Sequence, residues 1–258
     1  MTIQLSDHFT YSRLVRFTLP SIAMMIFTSI YGVVDGIFVS NFAGKTAFAA
    51  INLIIPYLMV FGTLGFMVGT GGTALVSMTL GMGDRKKANE LFSLLTYTAI
   101  GGGIALTVLS IILMRPAAKM LGGEGQLLED AVLYGYIVQA VLPAYILQYA
   151  FQSFCVAAEK PNLSLTMMIV AGVTNIVLDA LFVAVFHWGL VGAAVATAVA
   201  QAVGAVIPLV YFARPNQSLL RLGKFRFDGK ALLRTCTNGS SELMTNLSLS
   251  VVSILYNL

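Results

Sequence analysis

A chain of 258 residues that is 58% hydrophobic, only 10% charged and has a mean hydropathy of +0.87 cannot solvate the outside of a globular protein, because soluble chains carry about 25% charged residues. The composition predicts an all-α integral membrane protein, a polytopic helix bundle whose few charges mark the ends of its spans. Cys155 and Cys236 are far apart and each lies in or beside an apolar run, which excludes a disulfide framework or a cysteine metal cluster and predicts two packing residues.

Charged and Gly/Pro-rich boundaries divide the chain into apolar spans at about 17–41, 50–79, 92–114, 131–157, 163–186 and 190–212, with a seventh from 238 to the end. The predicted organisation is a cytoplasmic segment 1–16, a six-helix unit 17–212, a basic cytoplasmic loop 213–237 and a seventh transmembrane helix 238–258. The first span starts too late for a cleaved leader and has no small-residue cleavage site. The second is long enough to require tilt or a bend, which "GTLGFMVGTGG" would permit, and its Gly65 and Gly69 form a GxxxG face for close helix packing.

Orientation follows from the basic residues. With the N-terminus in the cytoplasm, twelve of the fifteen lysines and arginines fall inside, and only Lys45, Arg115 and Lys119 fall outside. The net charge of +4 therefore reflects topology and gives no reason to infer a nucleic-acid partner. Trp188 is predicted at the outer interface, and His187 beside it in a solvated loop. The asparagines of the four glycosylation sequons (Asn162, Asn216, Asn238, Asn246) fall on cytoplasmic or buried segments and read as chance.

Of eleven acids, eight lie in termini or loops and three lie inside spans: Asp35, Asp179 and Glu242. A charge at bilayer depth costs roughly 2.5–3.5 kcal/mol, so each needs a role, whether an interhelical hydrogen bond or ion handling. Asp35 stands 19 residues beyond Arg16 and Asp179 stands 19 beyond Lys160, which places both roughly 28 Å from the inner boundary at one level. Asn175 is one turn before Asp179 on the same face, and Thr197 descends to about the same depth. Two carboxylates, an amide and a hydroxyl of this kind suit a small hard cation or a proton.

Several stretches, in order, resemble the multidrug and toxic compound extrusion (MATE) family in its bacterial DinF and MepA branch. "LPSIAMMIFTSIYGVVDGIFVS" is similar to the family's first helix, "LGMGDRKKANELFS" to its loop between helices two and three, and "AAEKPNLS" to the loop between four and five. "TNIVLDALFV" and "GLVGAAVATAVAQ" resemble its fifth and sixth helices. The resemblance implies a six-helix lobe plus a seventh helix, in a bacterial cytoplasmic membrane. It implies a secondary active transporter and no enzyme: an antiporter, without cofactor, that uses Na+ or H+ to export amphipathic organic cations by alternating access. It puts Asp35, Asn175, Asp179 and Thr197 on the positions lining the family's cation or proton site, and Glu242 near an acid on the seventh helix implicated in coupling. Tyr31, Met24, Met25 and Phe66 are candidate substrate contacts, each also readable as helix packing.

Family members have twelve spans, so the seven read here are expected to represent one lobe and the start of a second, in a truncated or partial chain for which activity alone and activity only with the missing half are both open. Two other functions compete. A lipid-linked oligosaccharide flippase of the same superfamily should expose Arg or Lys at membrane depth, and every basic residue here lies at a boundary. An intramembrane aspartyl protease would use the GxGD of "GMGD", but Asp84 is followed at once by "RKK". No HExxH, GxSxG or Walker loop is present.

Overall fold

The computed structural model describes residues 11–257, and every regular element in that range is a helix. α1 (Tyr11–Phe38) ends in a π-helical segment, Val39–Ala43; α2 spans Lys45–Gly81, α3 Arg85–Met120, α4 Gly125–Gln139, α5 Leu142–Ala157 and α6 Pro161–Asp179. A second π-helical segment, Ala180–Val185, extends α6, and α7 (Gly189–Ala213) and α8 (Gly229–Asn257) complete the chain. Residues 1–10 of the expected N-terminal segment, and residue 258, lie outside the described residues; from Tyr11 the chain is already helical.

Among the described residues, five helices are long and apolar enough to cross a bilayer, or six with α4 and α5 taken as one bent span. One break was not expected. α2 runs as one helix of 37 residues through its glycine-rich stretch, whereas the fourth span breaks, by 58° between Gln139 and Leu142. Pro143 explains this, because proline lacks an N–H and its ring clashes with the carbonyl four residues earlier, here that of Gln139.

The α2 glycines serve packing. A Cβ on Gly65 would approach the Ile146 carbonyl oxygen to 2.8 Å, and one on Gly69 would approach Cα of Ala150 to 3.1 Å, so α5 lies directly on this face. On the other side Gly71 and Gly239 let α2 and α8 touch backbone to backbone: a Cβ on Gly71 would collide with the Thr235 carbonyl, and one on Gly239 with the Met67 carbonyl.

α8 departs from the expected seventh span. It begins at Gly229, inside the segment read as loop, and it is not among the helices apolar enough to cross. Its hydroxyl and amide groups bond back to carbonyls of their own helix, Thr237 to Leu233, Thr245 to Ser241 and Asn246 to Glu242, which lowers the cost of carrying them along an apolar neighbour. Cys155 is fully buried, as a packing residue is, but Cys236 is exposed.

Two apolar cores fill opposite ends of the bundle. At the end where α3 begins and α7 finishes, Phe92, Phe151, Phe154 and Phe212 form an edge-to-face and stacked cluster. At the other end Ile54, Met114, Val183 and Ala194 pack with the π-helical Val39. Gly71→Ala is expected to destabilise the purified chain by about 1–3 kcal/mol through overpacking, whereas Gly101→Ala, where a Cβ meets nothing within 4 Å, is expected to be neutral or slightly stabilising. Thermal unfolding in detergent checks both.

Candidate functional site

Between the two cores lies a cavity of about 320 Å³, lined from every span except α3. It exists because α1 packs chiefly along α6 and reaches α2 mainly through its π-helical end, leaving space between α1 and α2. α1 contributes Tyr31 and Asp35, α4 Tyr134 and Gln139, α5 Gln148 and Tyr149, α6 Asn175, and α7 Thr197 and Gln201.

Asp35 on α1 and Asp179 on α6 are neighbours, close enough for each carboxyl to feel the other. Asp179 is fully buried and Asn175 is 3% exposed one turn before it, so the helical spacing of four residues does bring both to one side of α6. Each carboxylate also sits just before a π-helical segment, Asp35 four residues ahead of Val39 and Asp179 immediately ahead of Ala180. Such irregular turns recur at functional sites because they re-aim side chains at the cost of helical hydrogen bonding. The Thr197 hydroxyl lies beside the phenol of Tyr134.

The hydrogen-bond balance gives the site its chemistry. Oδ1 of Asp35, both carboxyl oxygens of Asp179 and Oδ1 of Asn175 are buried without a hydrogen-bond partner. An unsatisfied buried acceptor costs about 1–3 kcal/mol, more when charged, so a cluster of them calls for an occupant. Every orphan in this cluster is an acceptor, so a proton or a cation satisfies it and an anion does not. Among the described residues no group of three or more His, Cys, Asp or Glu could hold a metal ion; the set here is two carboxyls supplemented by amide and hydroxyl oxygens, hard ligands without nitrogen or sulfur.

The remaining candidates divide. Tyr31 lines the cavity. Phe66 stands behind the wall, its ring 4.3 Å from that of the lining residue Tyr149. Met24 is buried between helices, its sulfur accepting from Gln152 Nε2 at 3.0 Å and Ser164 Oγ at 3.4 Å, while Met25 is 69% exposed and does not line the cavity. Glu242 is half-buried on α8, which packs along α2, and is not part of the cavity wall. Asp84 caps α3 by accepting the Lys87 backbone N–H at 3.0 Å in an exposed turn. It is not paired with Asp35, as an aspartyl protease would require.

The MatE family model matches residues 20–181, more than half of the chain and inclusive of both carboxylates. The chain belongs to the MatE family. It is 27% identical over 209 residues to multidrug export protein MepA of Staphylococcus haemolyticus, covering 81% of this chain and 46% of that protein. To MepA of Staphylococcus aureus it is 27% identical over 257 residues, covering 93% and 56%. A solved MOP superfamily transporter from Pyrococcus furiosus superposes with a TM-score of 0.86 at 22% identity over 92% of this chain and 53% of that one, a likeness of fold. The MatE chain spans about half the length of the curated relatives it matches.

Reading acids alone missed much of the polar wall of this MatE cavity. Gln139 is 1% exposed and Gln148 5%, and Gln139 Nε2, Gln148 Oε1 and Gln201 Oε1 are all without partners. The signal was present: amides inside apolar spans are costly for the same reason as acids, and Gln201 follows Thr197 by four residues. Asp179→Leu is expected to raise the thermal stability of the purified chain by about 1–3 kcal/mol, because an apolar residue of similar size removes two orphaned acceptors. A large loss of stability in a detergent melt would show instead that the carboxyl supports the fold.

Proposed function

We propose that this chain is the ion-coupling lobe of a secondary active multidrug exporter, in which Asp35, Asp179, Asn175 and Thr197 bind Na+ or a proton. The bundle sits in a bacterial cytoplasmic membrane with the N-terminus inside, which the twelve-to-three distribution of basic residues supports. The observation that carries the proposal is the neighbouring carboxyl groups of Asp35 and Asp179, three of whose four oxygens are buried without a donor. An ion that binds this pair more tightly in one conformation than in the other biases alternating access, and equal binding in both would shift nothing. α1 is the element best suited to move, because it holds Asp35 and packs chiefly on one neighbour, α6.

The exported class is amphipathic organic cations. The cavity combines aromatic rings and Met168 with carboxyl and amide oxygens and no basic side chain, a lining that attracts cations and accommodates varied apolar shapes. The same absence of Lys and Arg disfavours pyrophosphate-linked oligosaccharides as cargo. The matched relatives are named multidrug export proteins, and a second lobe as in proteins of their length would complete the path.

Ethidium efflux from pump-deficient bacteria tests this. Co-expressed with the second half of a matched MepA, the parent chain is expected to export, and Asp35→Asn and Asp179→Asn at equal membrane abundance are expected to fall to the level of cells lacking it. Efflux that persists in both variants would overturn the coupling role, and a silent pair at normal abundance would overturn the reading of this chain as an exporter lobe.

A further inference from the structure

The connection between α7 and α8 is held against α3 by specific contacts. The backbone N–H of Arg221 donates to Asn89 Oδ1 at 2.9 Å and that of Gly223 to Ser93 Oγ at 3.0 Å, the Leu222 N–H bonds the Phe212 carbonyl at 2.8 Å, and Leu220 is fully buried. Phe225 then packs against Tyr97 of α3, the rings tilted by 40° with centroids 5.2 Å apart. A connection fixed this way carries "KFRF" to the first turn of α3, and the two segments enclose a pocket of about 690 Å³.

Lys86, Lys87, Lys224 and Arg226 line that pocket, all exposed, and none of the four is in an ion pair among the described residues. Of its three acids, Asp84 and Asp228 are turned to backbone N–H groups, of Lys87 and of Lys230 and Ala231, and Glu90 is the third. The wider face, from Asp84 to Glu90 and from Arg214 to Arg234, carries nine basic residues against three acids. Phe227 stands beside the cations and is 74% exposed.

We propose that this pocket binds the headgroup of an anionic phospholipid from the surrounding leaflet, with Lys86, Lys87, Lys224 and Arg226 on the phosphate and Phe227 in the interfacial layer. The position favours lipid over other anionic partners: the pocket is built from the ends of membrane helices, the depth at which headgroups lie, and an exposed aromatic beside a basic cluster suits that layer. The site lies outside the cavity and stands independently of the transport reading.

The test is electron spin resonance of spin-labelled phosphatidylglycerol and phosphatidylcholine with the purified 258-residue chain in bilayers. The parent is expected to associate with the anionic lipid at least about fivefold more strongly. Lys86→Gln/Lys87→Gln/Lys224→Gln/Arg226→Gln is expected to lose most of that preference, and Phe227→Ser part of it. Lys45→Gln/Lys119→Gln, at the opposite end of the bundle, is expected to keep it. Equal association of the two lipids with the parent, or the same loss in the Lys45/Lys119 control, would overturn the proposal. So would specific capture of an acidic protein by the parent without any lipid preference.

Discussion

Four buried oxygen atoms without donors, on Asp35, Asp179 and Asn175, set the terms for this bundle. Apolar surroundings make each orphan costly, and in a lipid-embedded helix pair there is no bulk water to relieve them. Asp35 and Asn175 stand on the cavity wall, whereas Asp179 is fully buried beside them and is not part of that wall. α1 and α6 run side by side so that the two carboxyls meet, and both helices loosen into π-helical turns just past them. A bundle selected only for stability would fill this position with leucine, and the proposed ion site accounts for the two acids.

The two apolar cores explain how such a polar centre is tolerated. The phenylalanine cluster closes the end that carries most of the positive charge, the core around Ile54 and Met114 closes the other, and the cavity lies between them. Close packing reaches the cavity wall as well, since a Cβ on Gly172 would meet the Phe27 ring and one on Gly204 the Gln148 amide. α2 is locked to α5 and α8 by glycine contacts, whereas α1 is held mainly by α6. The proposed coupling asks for an element that can take two positions, and α1, which carries Asp35, packs chiefly on one neighbour, α6.

Much of this was legible in the sequence because membrane helices are so constrained. Five of the spans follow from hydropathy and charged boundaries alone, and equal counting from Arg16 and Lys160 put Asp35 and Asp179 at one depth. That count fixed level but not azimuth, and only the packing of α1 on α6 supplies the second coordinate. The bend of the fourth span was written in Pro143 yet hidden by the continuous apolar character on either side, while the α2 glycines, equally able to bend a helix, are used for close approach. The start of α8 was missed because Lys230 and Arg234 extend the run of basic residues before it, which reads as loop; its helicity rests on the Asp228 cap and on packing along α2. The glutamines of the cavity carried no formal charge and so escaped a search for ionisable groups.

The central claim is that the carboxyl pair binds an ion as one unit. The most direct measurement is thermal unfolding of the purified chain with Na+ exchanged for K+ at constant ionic strength, and in parallel across pH. The parent, Asp35→Asn, Asp179→Asn and the double variant would be compared. An ion that binds the folded state raises its stability with concentration. The account predicts that the parent responds to Na+ or to protons, that either single substitution removes that response, and that the double variant loses nothing more. A parent indifferent to both ions, or single variants whose losses simply add, would contradict it.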